Sequence, residues 1–323
     1  MKKTLFVLLP LLFVGMLLLA SCGAKYDFTY TAENGAVTIT GYTGKGGDFV
    51  IPDTVDGLPV TAIGKMAFAY NTTITSVTIP SSVTDTGDLS FFNCTSLQKV
   101  TLPDTLRVIA RATFDGCSNL SEVNIPSKIE TIGEASFQGC GKLTAVDLPE
   151  GLLRIENRAF ANCGLVNVVI PATATDCQRG VFLGNRDLVS IRILAVWDCI
   201  PEEMFHYCES LVDIEMQEGI ESIDREALNR CSSLKVLVLP STCYRICHSG
   251  LYGCTSLETI YFKCADRLRF DSYALRFAPK LFDLYYAGSE EMWEKSLAEK
   301  IKDSNEQIFE EEFRVHCGWV PES

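Results

Sequence analysis

Ala135-Ser136-Phe137-Gln138-Gly139-Cys140-Gly141-Lys142-Leu143-Thr144-Ala145-Val146-Asp147-Leu148-Pro149 decides the fold, because the chain repeats its pattern. One period earlier, Ala112-Thr113-Phe114-Asp115-Gly116-Cys117-Ser118-Asn119-Leu120-Ser121-Glu122-Val123-Asn124-Ile125-Pro126 keeps the same slots. Working outward, the phenylalanine slot falls at Phe68, Phe91, Phe114, Phe137, Phe160, Phe182 and Phe205, then becomes Leu228, Leu251 and Leu275. The steps are 23 residues, except 22 into Phe182 and 24 into Leu275, which makes ten units.

Self-similarity at this period is the signature of a leucine-rich-repeat solenoid. In each unit a Leu-x-x-Val-x-Ile segment alternates as a half-buried strand does, as in Leu97/Val100/Leu102, Leu211/Ile214/Met216 and Leu257/Ile260/Phe262. A proline often follows (Pro80, Pro103, Pro126, Pro149, Pro171, Pro240) and marks the strand end, because it cannot donate to a ladder. Apolar slots before the phenylalanine, such as Leu106 and Ile109 or Ile129 and Ile132, supply a return wall. One unit cannot bury its apolar face alone, whereas stacked units share a continuous core.

The variant resembles the BspA-type leucine-rich repeats of bacterial surface proteins. The residues that carry the resemblance are the Ile-Pro ending, Ile63-Gly64 and Ile132-Gly133, and the turn Ala159-Phe160-Ala161-Asn162-Cys163. It implies a β-rich solenoid of about ten 23-residue coils, over residues 49–286. It also implies adhesion or matrix binding of the kind some relatives perform, without naming a ligand.

The ends read as caps, since a terminal coil must hide its core and strand edge. Phe28-Thr29-Tyr30-Thr31 and Ala36-Val37-Thr38-Ile39-Thr40, joined by Asn34-Gly35, form a hairpin within an N-terminal segment 22–48. Residues 287–323 form an α/β cap, with Met292, Trp293, Leu297 and Ile301 at helical spacing and a strand at Phe313–Val315.

Residues 1–21 read as an export signal: Lys2 and Lys3, an apolar run from Leu5 to Leu19, then Leu19-Ala20-Ser21-Cys22. The run is short for a membrane span. The last four residues resemble the bacterial lipobox, which implies cleavage before Cys22, a diacylglyceryl thioether on its sulfur and a chain held at the bacterial envelope. Several acyl chains on one residue anchor firmly. A transmembrane helix, or an ordinary signal cleaved nearby, is the alternative.

Net charge is -13, and loss of Lys2 and Lys3 leaves -15. Such a surface repels polyanions, so nucleic acid is not an expected partner. With three histidines (His206, His248, His316) and no phosphate-cradling loop, Gly-x-Ser-x-Gly elbow or His-Glu-x-x-His, no catalytic residue, metal or cofactor is expected.

The chain has 14 cysteines. Cys94, Cys117, Cys140, Cys163, Cys208, Cys231 and Cys254 stand three residues after the phenylalanine slot, where Asn71 and Asn185 stand in other units. A small inward turn residue fits this alternation, so free buried thiols are expected. Disulfides remain the alternative, although stacked side chains that point the same way suit the disulfide torsion poorly. Cys177 and Cys243 fall on core slots, as does Trp197, whose alternative is a contact residue. Cys243-x-x-x-Cys247-His248 lacks a second ligand pair at zinc spacing.

Function then rests on the outward strand positions. They read Lys99/Thr101, Glu122/Asn124, Ala145/Asp147, Asn167/Val169, Ser190/Arg192, Asp213/Glu215, Val236/Val238, Thr259/Tyr261 and Asp283/Tyr285. Val236, Val238, Tyr261 and Tyr285 are the candidate partner-binding residues, because clustered exposed aromatics are what interfaces use. The alternative is that the C-terminal cap folds over them. The sequence therefore reads as an envelope-anchored binding or adhesion module for a protein or glycan partner, or else as a structural spacer of the envelope.

Overall fold

The computed structural model describes residues 26–265, 268–294 and 314–320. The expected export signal and Cys22 lie outside them. The chain winds into a β-solenoid of about 11 turns with the repeat spacing of the sequence. No helix among the described residues is long and apolar enough to cross a membrane.

Successive coils build two parallel walls. In the first wall the inward residues align coil on coil, as in Val77↔Val100 and Val100↔Val123. Farther along the chain the same wall aligns Leu237↔Ile260, Ile260↔Leu284 and Leu284↔Val315. In the return wall two-residue strands align Ile109↔Ile132 and Ile132↔Ile155, then Ile200↔Ile223 and Ile223↔Ile246. Parallel strands buried on their inner face need this continuous aliphatic column.

A tight turn closes each coil. Ala112, Phe114 and Gly116 donate their N–H groups to Glu134, Ser136 and Gln138 of the next coil, each at 2.8 Å. The turn demands left-handed backbone, with φ of 51° at Ala112 and 75° at Gly116. Glycine is favoured at Gly116 for a second reason, since a Cβ there would stand 2.9 Å from Asn93 Oδ1.

The phenylalanine slots form the spine. From Phe68 to Phe205 every ring is fully buried and stacks on the next, with centroids 4.7–6.0 Å apart. The rings of Phe49 and Tyr42 continue the cluster at the N-terminal end, at 5.9 and 5.8 Å from Phe68. There, Phe28–Glu33 and Ala36–Tyr42 form an antiparallel hairpin whose turn residues Asn34 and Gly35 have φ of 52° and 78°. Ala36–Tyr42 also runs parallel to Leu58–Ile63, and Gly47–Val50 to Ile74–Thr78. Residues 36–50 thus wind through both walls without a phenylalanine slot, a coil that counting phenylalanines does not reveal.

The first wall is interrupted where the repeat pattern predicts a strand around Val146, which has no strand pairing. One coil earlier, the ladder bond that Leu102 N–H should give to a backbone carbonyl goes instead to the side chain of Asn124 (Oδ1, 2.8 Å). The Asn124 amide also donates to Leu102 C=O at 2.9 Å. A side chain that occupies both backbone groups stands in for the ladder at that position. The wall resumes at Asn167–Ile170.

Candidate sheet-face site at the C-terminal coils

The outward rows of the last coils are set by register. One runs Val238↔Tyr261, Tyr261↔Tyr285 and Tyr285↔His316, and the other Val236↔Thr259, Thr259↔Asp283 and Asp283↔Arg314. Val236 and Val238 are exposed, at 45% and 42%, whereas Tyr261 and Tyr285 are half-buried. The two tyrosine rings stack at 4.7 Å, and His316 stacks on Tyr285 at 4.3 Å. Trp319 leans on both, with centroids 4.9 Å from Tyr261 and 6.1 Å from Tyr285.

The segment after the solenoid extends this wall. The strand Arg314–Cys317 adds in parallel to Asp283–Tyr286. Met292 and Trp293 pack on the core, and the Trp293 ring stands 6.1 Å from the inward Tyr286. Of the expected helix, residues 290–294 are described and helical, while Leu297 and Ile301 lie outside the described residues. Sequence reasoning placed Asp283 among the outward, solvent-facing residues; it is buried. His316 Nε2 lies 2.8 Å and Arg314 Nε 3.1 Å from its Oδ1, so the added strand covers it. His316 and Trp319 belong to the patch and were missed. Continuing the alternation of the wall one strand past Tyr285 is the signal that finds His316.

Earlier coils differ outside. Lys99 and Glu122 pair at 2.8 Å and Arg192 and Glu215 at 2.7 Å, all solvated. Val50 and Val169 are exposed apolar residues on this face as well, and neither is paired in register with an aromatic residue.

The repeat cysteines are free and buried. Each thiol of Cys94, Cys117, Cys140 and Cys163 donates to the carbonyl of the phenylalanine slot one coil back, at 3.0–3.3 Å, and Cys208, Cys231 and Cys254 do the same. Asn185 gives the same bond with its amide, at 2.8 Å to Phe160. Burial pushes the Cys163 and Cys254 thiols up to about 12, which makes them poor nucleophiles. Cys243 is fully buried, whereas Cys177 on the return wall is half-buried. Cys247 instead turns to Asp224 at 3.7 Å and His248 to the Tyr273 ring, so Cys243, Cys247 and His248 form no ligand set. Trp197 is core, and its indole N–H donates to Ala174 C=O at 2.9 Å.

A third grouping escaped the sequence entirely: Glu203, His206 and Glu226 each place a ligand atom within 4.8 Å of the others. The Arg179 hydrogen bond lowers the Glu203 pKa, and burial lowers that of His206.

The profile of the BspA type leucine rich repeat region matches residues 61–189 and 178–296, in six copies. No curated protein matches the chain. Among solved structures, a leucine-rich repeat protein of T. pallidum is 28% identical, covers 66% of this chain and 90% of its own, and superposes with a TM-score of 0.49. A leucine-rich cell surface protein of Faecalibacterium prausnitzii is 23% identical over 86% of this chain and 97% of its own, with a TM-score of 0.43. A leucine-rich repeat protein of Bacteroides ovatus is 21% identical over 91% of this chain and 99% of its own, with a TM-score of 0.40.

Proposed function

Since the chain belongs to the BspA-type leucine-rich-repeat family, we propose that it is an envelope-anchored binding module whose C-terminal outward sheet face takes a protein partner. Fold and family are typically those of non-enzymatic scaffolds, and leucine-rich-repeat proteins generally bind protein partners. The observation that carries the reading is the row Val238, Tyr261, Tyr285, His316, with Val236 beside it and Trp319 over it. Packing inside the solenoid does not require apolar residues at these outward positions, and exposed aromatic clusters anchor interfaces. The stacked tyrosine and histidine rings turn their faces to one another and their edges outward. That arrangement favours a protein over a sugar, which would need an open ring face. The acidic surface favours a basic partner.

Anchoring rests on Leu19-Ala20-Ser21-Cys22, with the lipid on Cys22. Cys22→Ala should move the protein out of the membrane fraction; retention as tight as in the parent would refute the lipid anchor. The soluble form from Gly23 onward, immobilised against envelope and host-matrix extracts, should capture a partner saturably. A spacer or assembly element of the envelope needs no apolar outward patch, and for it no saturable capture is expected.

A further inference from the structure

On the turn wall, away from the sheet face, Glu203 and Glu226 occupy one slot in successive coils, two residues before Phe205 and Leu228. Both sit in left-handed backbone, with φ of 57° and 56°. The slot is left-handed in the other coils too, where it holds Met66, Leu89, Ala112, Ala135, Arg158, Gly180, Ser249 or Tyr273, so carboxylates at this turn position are particular to these two coils. His206, directly after Phe205, stacks on Tyr207 at 4.3 Å. Its Nδ1 is buried without a hydrogen-bond partner and lies 3.6 Å from Glu226 Oε2.

We propose that Glu203, His206 and Glu226 form a binding site for one divalent cation of the zinc class. All three ligand atoms already lie within 4.8 Å of one another. Tetrahedral zinc with bonds of about 2.0–2.1 Å holds its ligand atoms about 3.4 Å apart, so the 3.6 Å contact between His206 and Glu226 is near ligand spacing. An imidazole nitrogen with two carboxylates suits zinc, whereas calcium and magnesium seek six or more oxygens. A fourth position is left for water or a partner's side chain.

Arginines orient the carboxylates. Arg179 donates to both Glu203 oxygens, at 2.6 and 3.1 Å, with Arg158 at 3.6 Å. Arg225 stands 3.4 Å from Glu226 and 3.9 Å from Glu202, and Arg230 also faces the cluster. Each carboxylate oxygen carries two lone pairs, so it can accept from arginine and ligate at once. The same cations oppose a metal's charge, which sets the site apart from a tight structural one.

The test uses the full chain, stripped with chelator and titrated with Co²⁺ and then Zn²⁺. One equivalent should bind with weak visible bands and no intense sulfur-to-cobalt charge-transfer band, which excludes the thiols. His206→Ala and Glu226→Gln should each weaken binding at least about tenfold. Zn²⁺ should raise the melting temperature of the parent and not of either variant, since a ligand of the native state stabilises it. Glu226→Gln preserves shape and decides the matter if His206→Ala folds poorly. Sulfur-to-cobalt bands, binding unchanged in Glu226→Gln, or no binding at millimolar metal would each overturn the proposal.

Discussion

The coils from Phe68 to Phe205 and those from Leu228 to Leu275 share one backbone and spend their aromatic residues differently. In the first set, phenylalanine fills the buried slot and the rings form a continuous inner stack. In the second, leucine fills that slot, still fully buried. Phe262, Phe270 and Tyr286 still lie inside, and further aromatics stand outside, at Tyr261 and Tyr285 on the sheet and at Tyr252, Tyr273 and Phe277 on the turn wall. The inner slot needs an apolar group of sufficient volume, and either residue meets that need. The outer sheet positions face away from that interior, and at Tyr261 and Tyr285 they pack against Trp319 and His316. On the turn wall Arg276 lies 4.9 and 5.0 Å from the Tyr273 and Phe277 rings, while Tyr70 and Phe92, and Tyr207 with Arg230, make aromatic and cationic contacts on that edge in preceding coils.

The sharpest way to break this contrast is to empty an inner slot. Phe137→Ala should cost about 3–5 kcal/mol, because it deletes a fully buried ring between two stacked neighbours. A reversible chemical melt reads this directly, and a loss below about 1 kcal/mol would place the slot outside the core.

Smaller effects are expected from the thiol column. The repeat cysteines should label slowly in the native protein and fully after unfolding without reductant; rapid native labelling would contradict burial. Their pH dependence has a definite sign. Cys163 and Cys254 are raised from 9.0 to about 12 in the folded state. The stability they confer is therefore full below about pH 9 and is lost as pH climbs toward 12, where the unfolded chain gives up the proton first. Cys163→Ala should flatten that alkaline decline by up to about 1.4 kcal/mol per pH unit. An unchanged slope would mean that the thiol is solvated.

The sequence made the interior legible because stacking repeats one environment coil after coil: the phenylalanine slots, Ile109 and Ile132, Trp197 and the cysteine column all fall where their spacing places them. It was less informative wherever one side chain acts outside the repeat. Asn124 replaces a ladder bond with its amide, which no hydrophobic pattern reveals. Asp283 reads as outward until Arg314 and His316 arrive from the segment after the solenoid. The patch itself was half legible: Val236, Val238, Tyr261 and Tyr285 stand out as departures from polar neighbours. Trp319 joins them through a contact 58 residues from Tyr261 in the chain, which spacing within one repeat cannot reach.

The central claim is that the outward face of the last coils binds while the same face of earlier coils does not. The direct measurement compares the captured partner's affinity for three proteins. These are the parent, the double variant Tyr261→Ala/Tyr285→Ala, and the control Lys99→Ala/Glu122→Ala, which removes a solvated ion pair on the same wall. Truncating aromatic anchors typically costs 2 kcal/mol or more, so the tyrosine variant should bind at least about thirtyfold more weakly, with the control within about twofold of the parent. Equal affinity for all three, or equal loss in both variants, would contradict it.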